Sequence, residues 1–467
     1  MVPAGMKAPD FMIHTGDITQ NSKAEFDTAA QVIKSAEADE VFYVPGEHDF
    51  IDDGEQYRQR FGKGTQANGW YIPHAHDNIA TGSREIAMNK TIYPLTSVRF
   101  FAASLVLIHH SVGIFLPAFS AKEAPLARGD IAGKLSLAFP VSVSFFFLLS
   151  GYVLSYVYLH DGQTVDKSKF FAARLARLYP LYFVMLILDT PKLLAEEVER
   201  HGMKLGLAMT GEIFAASMVL LQVSYPIKLA KINPPGWSLC VEAFFCLCFP
   251  VLGVLLWKLR GVQLWMTALL LYVGGQALVW WMRVRLCIGM TVTLPPTHLS
   301  TFALGILLAR WQTLRRMQTD RPQVQAWHVN TVLWLAVGGI LLSVWLIPFW
   351  QMPNPYFNGL LAPIYAAFIW ALSVMPTLWS RWLCRRWLVA LGNASYALYL
   401  IHYPLLNLFM HFRWVTPVCY LVYLGLCLAI SLLSYRYFET PVRLWLLERF
   451  AAARKEPFVT IVSNARS

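Results

Sequence analysis

From about residue 92 to about residue 446 the chain repeats one pattern, in which long apolar runs are separated by short polar connections. Runs of roughly 18 or more apolar residues can each cross ~30 Å of hydrocarbon as a helix. They lie near 95–117, 136–159, 175–194, 237–257, 262–282, 297–310, 329–350, 357–376, 388–410 and 415–437. An eleventh candidate, 205–223 ("LGLAMTGEIFAASMVLLQV"), carries Glu212 at its centre, where a charge costs roughly 2.5–3.5 kcal/mol on insertion. The basic residues decide between ten and eleven crossings. If 205–223 does not cross and the N-terminus is cytoplasmic, the inside loops hold Lys167, Lys169, Lys258, Arg260, Arg310, Arg315, Arg316, Arg321, Arg381, Arg385 and Arg386, while the outer connections "WQMPNPYFNG" and "HFRWVTP" share one. That asymmetry is the positive-inside signature. The pattern predicts an all-α polytopic membrane protein of about ten transmembrane helices. Both termini are expected in the cytoplasm, and 190–236 is expected to form an outer, partly embedded excursion.

Residues 1–87 break the pattern. They are polar and charged, and "DFMIHTGDITQ" and "VFYVPGEHDF" each read as a strand running into a loop, with helical spacing between them. A small soluble α/β-like fragment is expected there, and a basic cytoplasmic tail at 447–467. Composition agrees with the division: 56% of the 467 residues are hydrophobic and 14% charged, with a mean hydropathy of +0.45, against about 25% charged in soluble domains. The net charge of +11 reads first as an orientation signal, and no nucleic-acid partner is expected. The seven cysteines form no Cys-x-x-Cys pair and read as small apolar residues.

Chemistry is concentrated at a few polar positions inside the apolar runs, where ionisable groups are costly and mark function. In "YPLTSVRFFAASLVLIHHSVGIF", Arg99 and His110 are eleven residues apart and share a helix face, about 16 Å apart along the axis; His109 points elsewhere. In "KFFAARLARLYPLY", Arg174 and Arg177 are i,i+3 neighbours that can bind phosphate in forked pairs or anchor the helix at the surface. In "INPPGWSLCVEAFFCLCFP", Pro234, Pro235 and Gly236 interrupt the chain, Trp237 suits the outer interface, Ser238 follows, and Glu242 lies just over one turn inside. "LGNASYALYLIHYPLL" puts Tyr396, Tyr399 and His402 in a later span.

In their order, "TSVRFFAASLVLIHH", "FFFLLSGYVLSYVY", "FFAARLARLYPLY", "PPGWSLCVEAFF" and "LGNASYALYLIHYPLL" resemble the membrane-bound acyltransferase 3 family over residues 88–446. The resemblance implies an O-acyltransferase moving an acyl group, often acetyl, from acyl-CoA to a hydroxyl of a surface or lipid-linked carbohydrate. It implies no permanently bound cofactor and a multi-pass location in the cell's inner membrane. His110, Arg99 and Glu242 would be catalytic, Arg174 and Arg177 would bind acyl-CoA, and Trp237, Ser238, Tyr396 and His402 would line the substrate site. The "GD" and "GEHD" of the first segment resemble part of a calcineurin-like metallophosphoesterase, with Asp17, Glu47 and His48 as an incomplete metal-binding remnant. The rival reading of the spans is a transporter or flippase for an anionic or acylated small molecule, which buried charge in ten helices also fits.

Overall fold

The computed structural model describes residues 11–14, 40–43, 92–116, 141–159, 165–223, 231–285, 293–317, 325–346, 358–374 and 378–454. The chain divides into two units, Met1–Ile86 and Ala87–Ser467. In the first, β1 (Phe11–His14) and β2 (Glu40–Tyr43) pair in parallel, with Phe11 opposite Glu40. These are the two strands the sequence predicts. The helix expected between them and the remnant residues Asp17, Glu47 and His48 lie outside the described residues.

The second unit is helical, and the protein is an all-α polytopic membrane protein. Its helices are α1 (Tyr93–Phe115), α2 (Ser142–Tyr158), α3 (Lys167–His201), α4 (Met203–Met218), α5 (Trp237–Trp257), α6 (Gly261–Arg285), α7 (Leu299–Arg316) and α8 (Ala326–Leu346). Then come α9 (Ala362–Val374), α10 (Leu378–Leu383), α11 (Arg386–Asn393), α12 (Ser395–His411), α13 (Pro417–Ser434) and α14 (Thr440–Arg454). Six helical stretches among the described residues are both long and apolar enough to cross a membrane: Tyr93–Phe115, Lys167–His201, Pro234–Trp257, Gly261–Arg285, Ala326–Ser343 and Pro417–Ala453. The other four expected crossings are helices too, but shorter or more charged. α2 and α12 have 17 residues, α9 has 13, and α7 carries Arg310, Arg315 and Arg316.

The apolar surface faces outward as well as inward, as lipid requires. On α6 the exposed side chains include Val262, Trp265, Met266, Leu269 and Leu270, a distribution that water would penalise and hydrocarbon does not. Arg310, read from sequence as part of a cytoplasmic loop, instead lies within α7 at 1% exposure, its guanidinium 5.1 Å from the Trp257 ring. The aromatic face supplies the electrostatic partner that lipid cannot.

Two elements differ from the expected spans. The third run, expected at 175–194, is the middle of a 35-residue helix, α3, which extends ~52 Å and exceeds the hydrocarbon thickness. Asp166 starts it, its carboxylate accepting from the Lys169 N–H at 3.1 Å. Gly202 ends it at φ +79°. The excursion 190–236 contains the end of α3 and the 16-residue α4, which packs back against α3 and leaves Glu212 exposed.

Among the described residues, α2 and α7 pack closely enough for their backbones to touch. A Cβ on Gly151 would lie 2.0 Å from the Phe302 carbonyl oxygen, and one on Gly305 would lie 2.1 Å from that of Leu148. Small residues of this kind let backbones touch where no hydrophobic effect drives association. Gly305→Ala therefore has to push the two helices apart, at a cost of about 1–3 kcal/mol. Thermal unfolding in detergent should show a clear loss of stability, whereas Gly274→Ala, with nothing within 4 Å of its added Cβ, should leave the midpoint unchanged.

Candidate active site

Ionisable and hydroxyl groups from five helices converge on one cavity. Arg99 of α1, Ser150 of α2, Arg174 and Arg177 of α3, Ser238 and Glu242 of α5, and Tyr396 and Tyr399 of α12 all line it. Arg174 Nη2 and Glu242 Oε1 are 2.5 Å apart, and the Ser150 hydroxyl donates to the same oxygen at 2.8 Å. Both side chains of the pair are about 15% exposed. Tyr396 donates to the Leu178 carbonyl, pinning α12 to α3. The i,i+3 spacing read from the sequence accounts for Arg174 and Arg177 reaching the same wall. Three arginines against one glutamate leave the lining with an excess of positive charge, a setting suited to an anionic ligand.

His110 is not part of this lining. It lies further along α1, where its Nδ1 is 3.1 Å from His402 Nε2 and the two rings stack with centroids 5.2 Å apart. His402 is fully buried, and its Nδ1 faces the Leu398 carbonyl oxygen at 3.2 Å. A carbonyl only accepts, so His402 Nδ1 carries the proton and its Nε2 is the acceptor. His110 Nδ1 must then donate, which leaves His110 Nε2 as the basic nitrogen. Thus Arg99 and His110, which share a helix face, serve two different parts of the interior. Tyr399 connects them. It lines the cavity, its ring is 6.1 Å from that of His402, and its hydroxyl is 2.8 Å from Ser238 Oγ and donates to Pro235 O at 2.9 Å.

At the start of α5 the structure supplies partners for the residues expected at and just inside the outer interface: the Trp237 ring packs at 6.1 Å from Phe147 and 5.7 Å from the buried His298, and Glu242 meets Arg174. The Pro234–Gly236 turn begins inside the protein, where both donors of Asn233 ahead of it are paired. The Asn233 N–H donates to Asp189 Oδ2 at 2.7 Å, and its side-chain amide donates to Leu400 O at 3.1 Å. Asn233 takes a left-handed conformation, φ +42°. Asp189 also accepts from Asn407 Nδ2 at 2.8 Å, and Asn407 Oδ1 accepts from Lys192 Nζ at 2.7 Å. Sequence reasoning passed over Asp189, Asn233, Lys192 and Asn407. The available signal was a lone acid in "FVMLILDTP" and a lone amide in "YPLLNLF". Among the cysteines, Cys240, Cys246 and Cys427 are buried as expected, but Cys384 is exposed.

The acyltransferase 3 family, described as an acyltransferase domain, matches residues 92–436, a span that contains every residue of both polar centres. The chain belongs to this family. Two relatives from Staphylococcus aureus bear names of one activity. One, from strain COL, carries the provisional name of O-acetyltransferase and is 27% identical over 338 residues, covering 65% of this chain and 52% of the relative. The other, O-acetyltransferase OatA of strain NCTC 8325 / PS 47, is 26% identical over 323 residues with the same coverage. The chain spans about half the length of the curated relatives it matches. No solved structure matches it.

The Asp189–Asn407 contact can be inverted by mutation. Asn407→Asp sets two carboxylates where a hydrogen bond of 2.8 Å now stands, and buried like charges at that separation disrupt packing. That single variant should unfold at a lower temperature in detergent. Asp189→Asn combined with Asn407→Asp re-creates the pair in reverse and should recover most of the loss. Equal damage in the single and double variants would mean that the contact does not hold the helices.

Proposed function

We propose that this acyltransferase-family chain is a membrane O-acyltransferase, transferring an acyl group, most simply acetyl, from acyl-CoA to a hydroxyl of a surface or lipid-linked carbohydrate. The observation that carries the reading is an arginine-rich cavity and a hydrogen-bonded histidine pair built on the same helices, α1 and α12, with Tyr399 between them. Coenzyme A is a phosphate-rich donor with a long flexible arm. Arg99, Arg174 and Arg177 offer guanidiniums in number in the cavity, and Glu242 holds Arg174 in place. The pantetheine arm is comparable in length to the ~16 Å axial rise between Arg99 and His110. It can therefore carry the thioester past Tyr399 and Ser238 while the phosphates stay among the arginines.

At the far end His110 Nε2 accepts the proton of the acceptor hydroxyl as its oxygen attacks the thioester carbonyl. The carbon–sulfur bond breaks, coenzyme A leaves as the thiolate, and the proton held by His110 passes to it or to water. His402 fixes the tautomer of His110 by accepting from its Nδ1. The relatives' names, which specify O-acetyl transfer, favour acetyl. The topology that fits has ten crossings with both termini cytoplasmic, in the inner membrane of the cell, so that Arg174 and Arg177 meet the donor from the cytoplasmic side. Labelling of single cysteines at Lys258–Arg260, Thr313–Arg316 and Ser380–Arg386 should then report the cytoplasm at all three.

Transport of an anionic or acylated molecule is the second reading. One observation favours it: two Pro-Pro turns, Pro234–Gly236 and Pro295–His298, each open a helix and meet through Trp237 and His298, as interrupted helices do in transporters. Chemistry separates the two. Extracted surface glycans should lose O-acyl groups when the gene is removed and regain them with the wild-type chain. His110→Ala and His110→Gln should both lower transfer by roughly 10²–10⁴-fold, while His109→Ala retains most of it. Arg174→Lys should weaken the apparent affinity for acyl-CoA more than that for the acceptor, since ammonium keeps the charge but not the fork. Transfer undiminished in His110→Gln would remove the general-base assignment.

A further inference from the structure

On the side of His110 away from the arginines, α3 and α12 present a second polar surface that no step above uses. The Tyr403 ring stands edge-on to His110, with centroids 5.8 Å apart and planes at 89°. Lys192 Nζ lies 5.9 Å from the centroid of the Tyr403 ring. Lys192 is also bonded to Asn407 Oδ1 at 2.7 Å and is 3.7 Å from Glu196 Oε1. The side chains of Lys192 and Glu196 are 42% and 38% exposed. Asn407 beneath them is buried, and its amide nitrogen is held by the buried Asp189. The result is a half-open aromatic ring bordered by a cation, a carboxylate and a pre-oriented amide, directly against the proposed base.

We infer that Tyr403, Lys192, Glu196 and Asn407 form the acceptor subsite and that it takes a hydroxyl-rich sugar ring. The inference rests on the acyl-transfer reading above and names where its second substrate sits. A sugar has one face of C–H groups and a rim of hydroxyls. The first suits the Tyr403 ring. The rim matches what surrounds it: Lys192 donates, Glu196 accepts, and the Asn407 oxygen already points outward to Lys192. A ring so placed sits against His110 on the side away from the arginines. Asp189 acts here as a positioning residue. By holding the Asn407 amide nitrogen it fixes which end of that amide faces the substrate, and through Asn233 it holds the turn that carries Ser238 to Tyr399. An ordinary surface ion pair between Lys192 and Glu196, one turn apart on α3, accounts for neither the buried anchor behind Asn407 nor the ring against His110.

The test uses the full chain in membrane vesicles, acetyl-CoA as donor, and as acceptor the unacylated glycan extracted from cells lacking the gene. Tyr403→Leu keeps apolar bulk and removes the platform; Lys192→Gln keeps a donor and removes the charge at an exposed position. Tyr403→Leu should raise the acceptor KM roughly tenfold, and Lys192→Gln should raise it by a smaller factor. The donor KM should stay within about twofold in both, which loss of folded protein or a lipid-anchoring role for Lys192 would not produce. An acceptor KM unchanged in both variants, with the wild type active, would overturn the subsite alone. A wild-type chain that transfers nothing to the glycan would overturn the acyl-transfer reading and the subsite with it.

Discussion

The half-buried pair of Arg174 and Glu242 is the contact around which the rest of the interior is arranged. An arginine among packed helices, with little access to water, has to find a carboxylate, a carbonyl or an aromatic face. Arg174 finds Glu242, which the start of α5 brings to the same cavity wall. That in turn requires a buried turn at Pro234–Gly236 and groups to satisfy it, which are Asp189, Tyr399 and the Leu400 carbonyl. The ion pair at one end of the interior and the aspartate network at the other are therefore two ends of one constraint. α3 carries both, with Arg174 and Asp189 fifteen residues apart on one helix, ~22 Å along its axis.

That constraint separates two tasks in space. The arginine end is positively charged and lies among Phe146, Phe147 and leucines, surroundings that strengthen its field. The histidine end is held by hydrogen bonds with a fixed direction, from His110 Nδ1 to His402 Nε2 and from His402 Nδ1 to the Leu398 carbonyl. On the proposed reading, a charged donor is gripped at one end while proton transfer takes place at the other, which keeps the two tasks apart.

Much of this was legible in the sequence, and the failures have a common cause. Hydrophobic period and length placed most of the helices, because lipid demands long apolar runs whatever they pack against, but not their ends: 175–194 is the middle of α3, and 388–410 falls on α11 and α12. Isolated charges within those runs pointed to Arg99, His110, Arg174, Arg177 and Glu242. Partners were not legible: Trp237 packs beside His298, and the Pro-Pro turn ahead of it is paired inside the protein. No local pattern reports such pairing, since Asp189 and Asn233 are 44 residues apart and Asn407 lies 218 residues from Asp189. Arg310 shows the same limit: its guanidinium meets the ring of Trp257 and donates to the Leu259 carbonyl, both far from it in sequence.

The direction of the histidine chain carries one further consequence. A backbone carbonyl cannot change its role, so the Leu398 oxygen fixes the proton on His402 Nδ1, and that fixes the proton on His110 Nδ1. The backbone of α12, two hydrogen bonds removed, thus favours one tautomer of the residue read as the base, alongside the bond that His110 makes to the Val106 backbone on α1. His402 is a positioning residue on this argument, and its value lies in having both an acceptor and a donor nitrogen in line. An amide side chain at position 402 offers an oxygen to His110 but lacks the ring geometry that reaches Leu398 at the same time. A hydrocarbon there offers neither. The pair of histidines is consequently a single unit with one exposed function, the Nε2 lone pair of His110, and the helix α12 that carries its second member also carries Tyr399 toward the arginines.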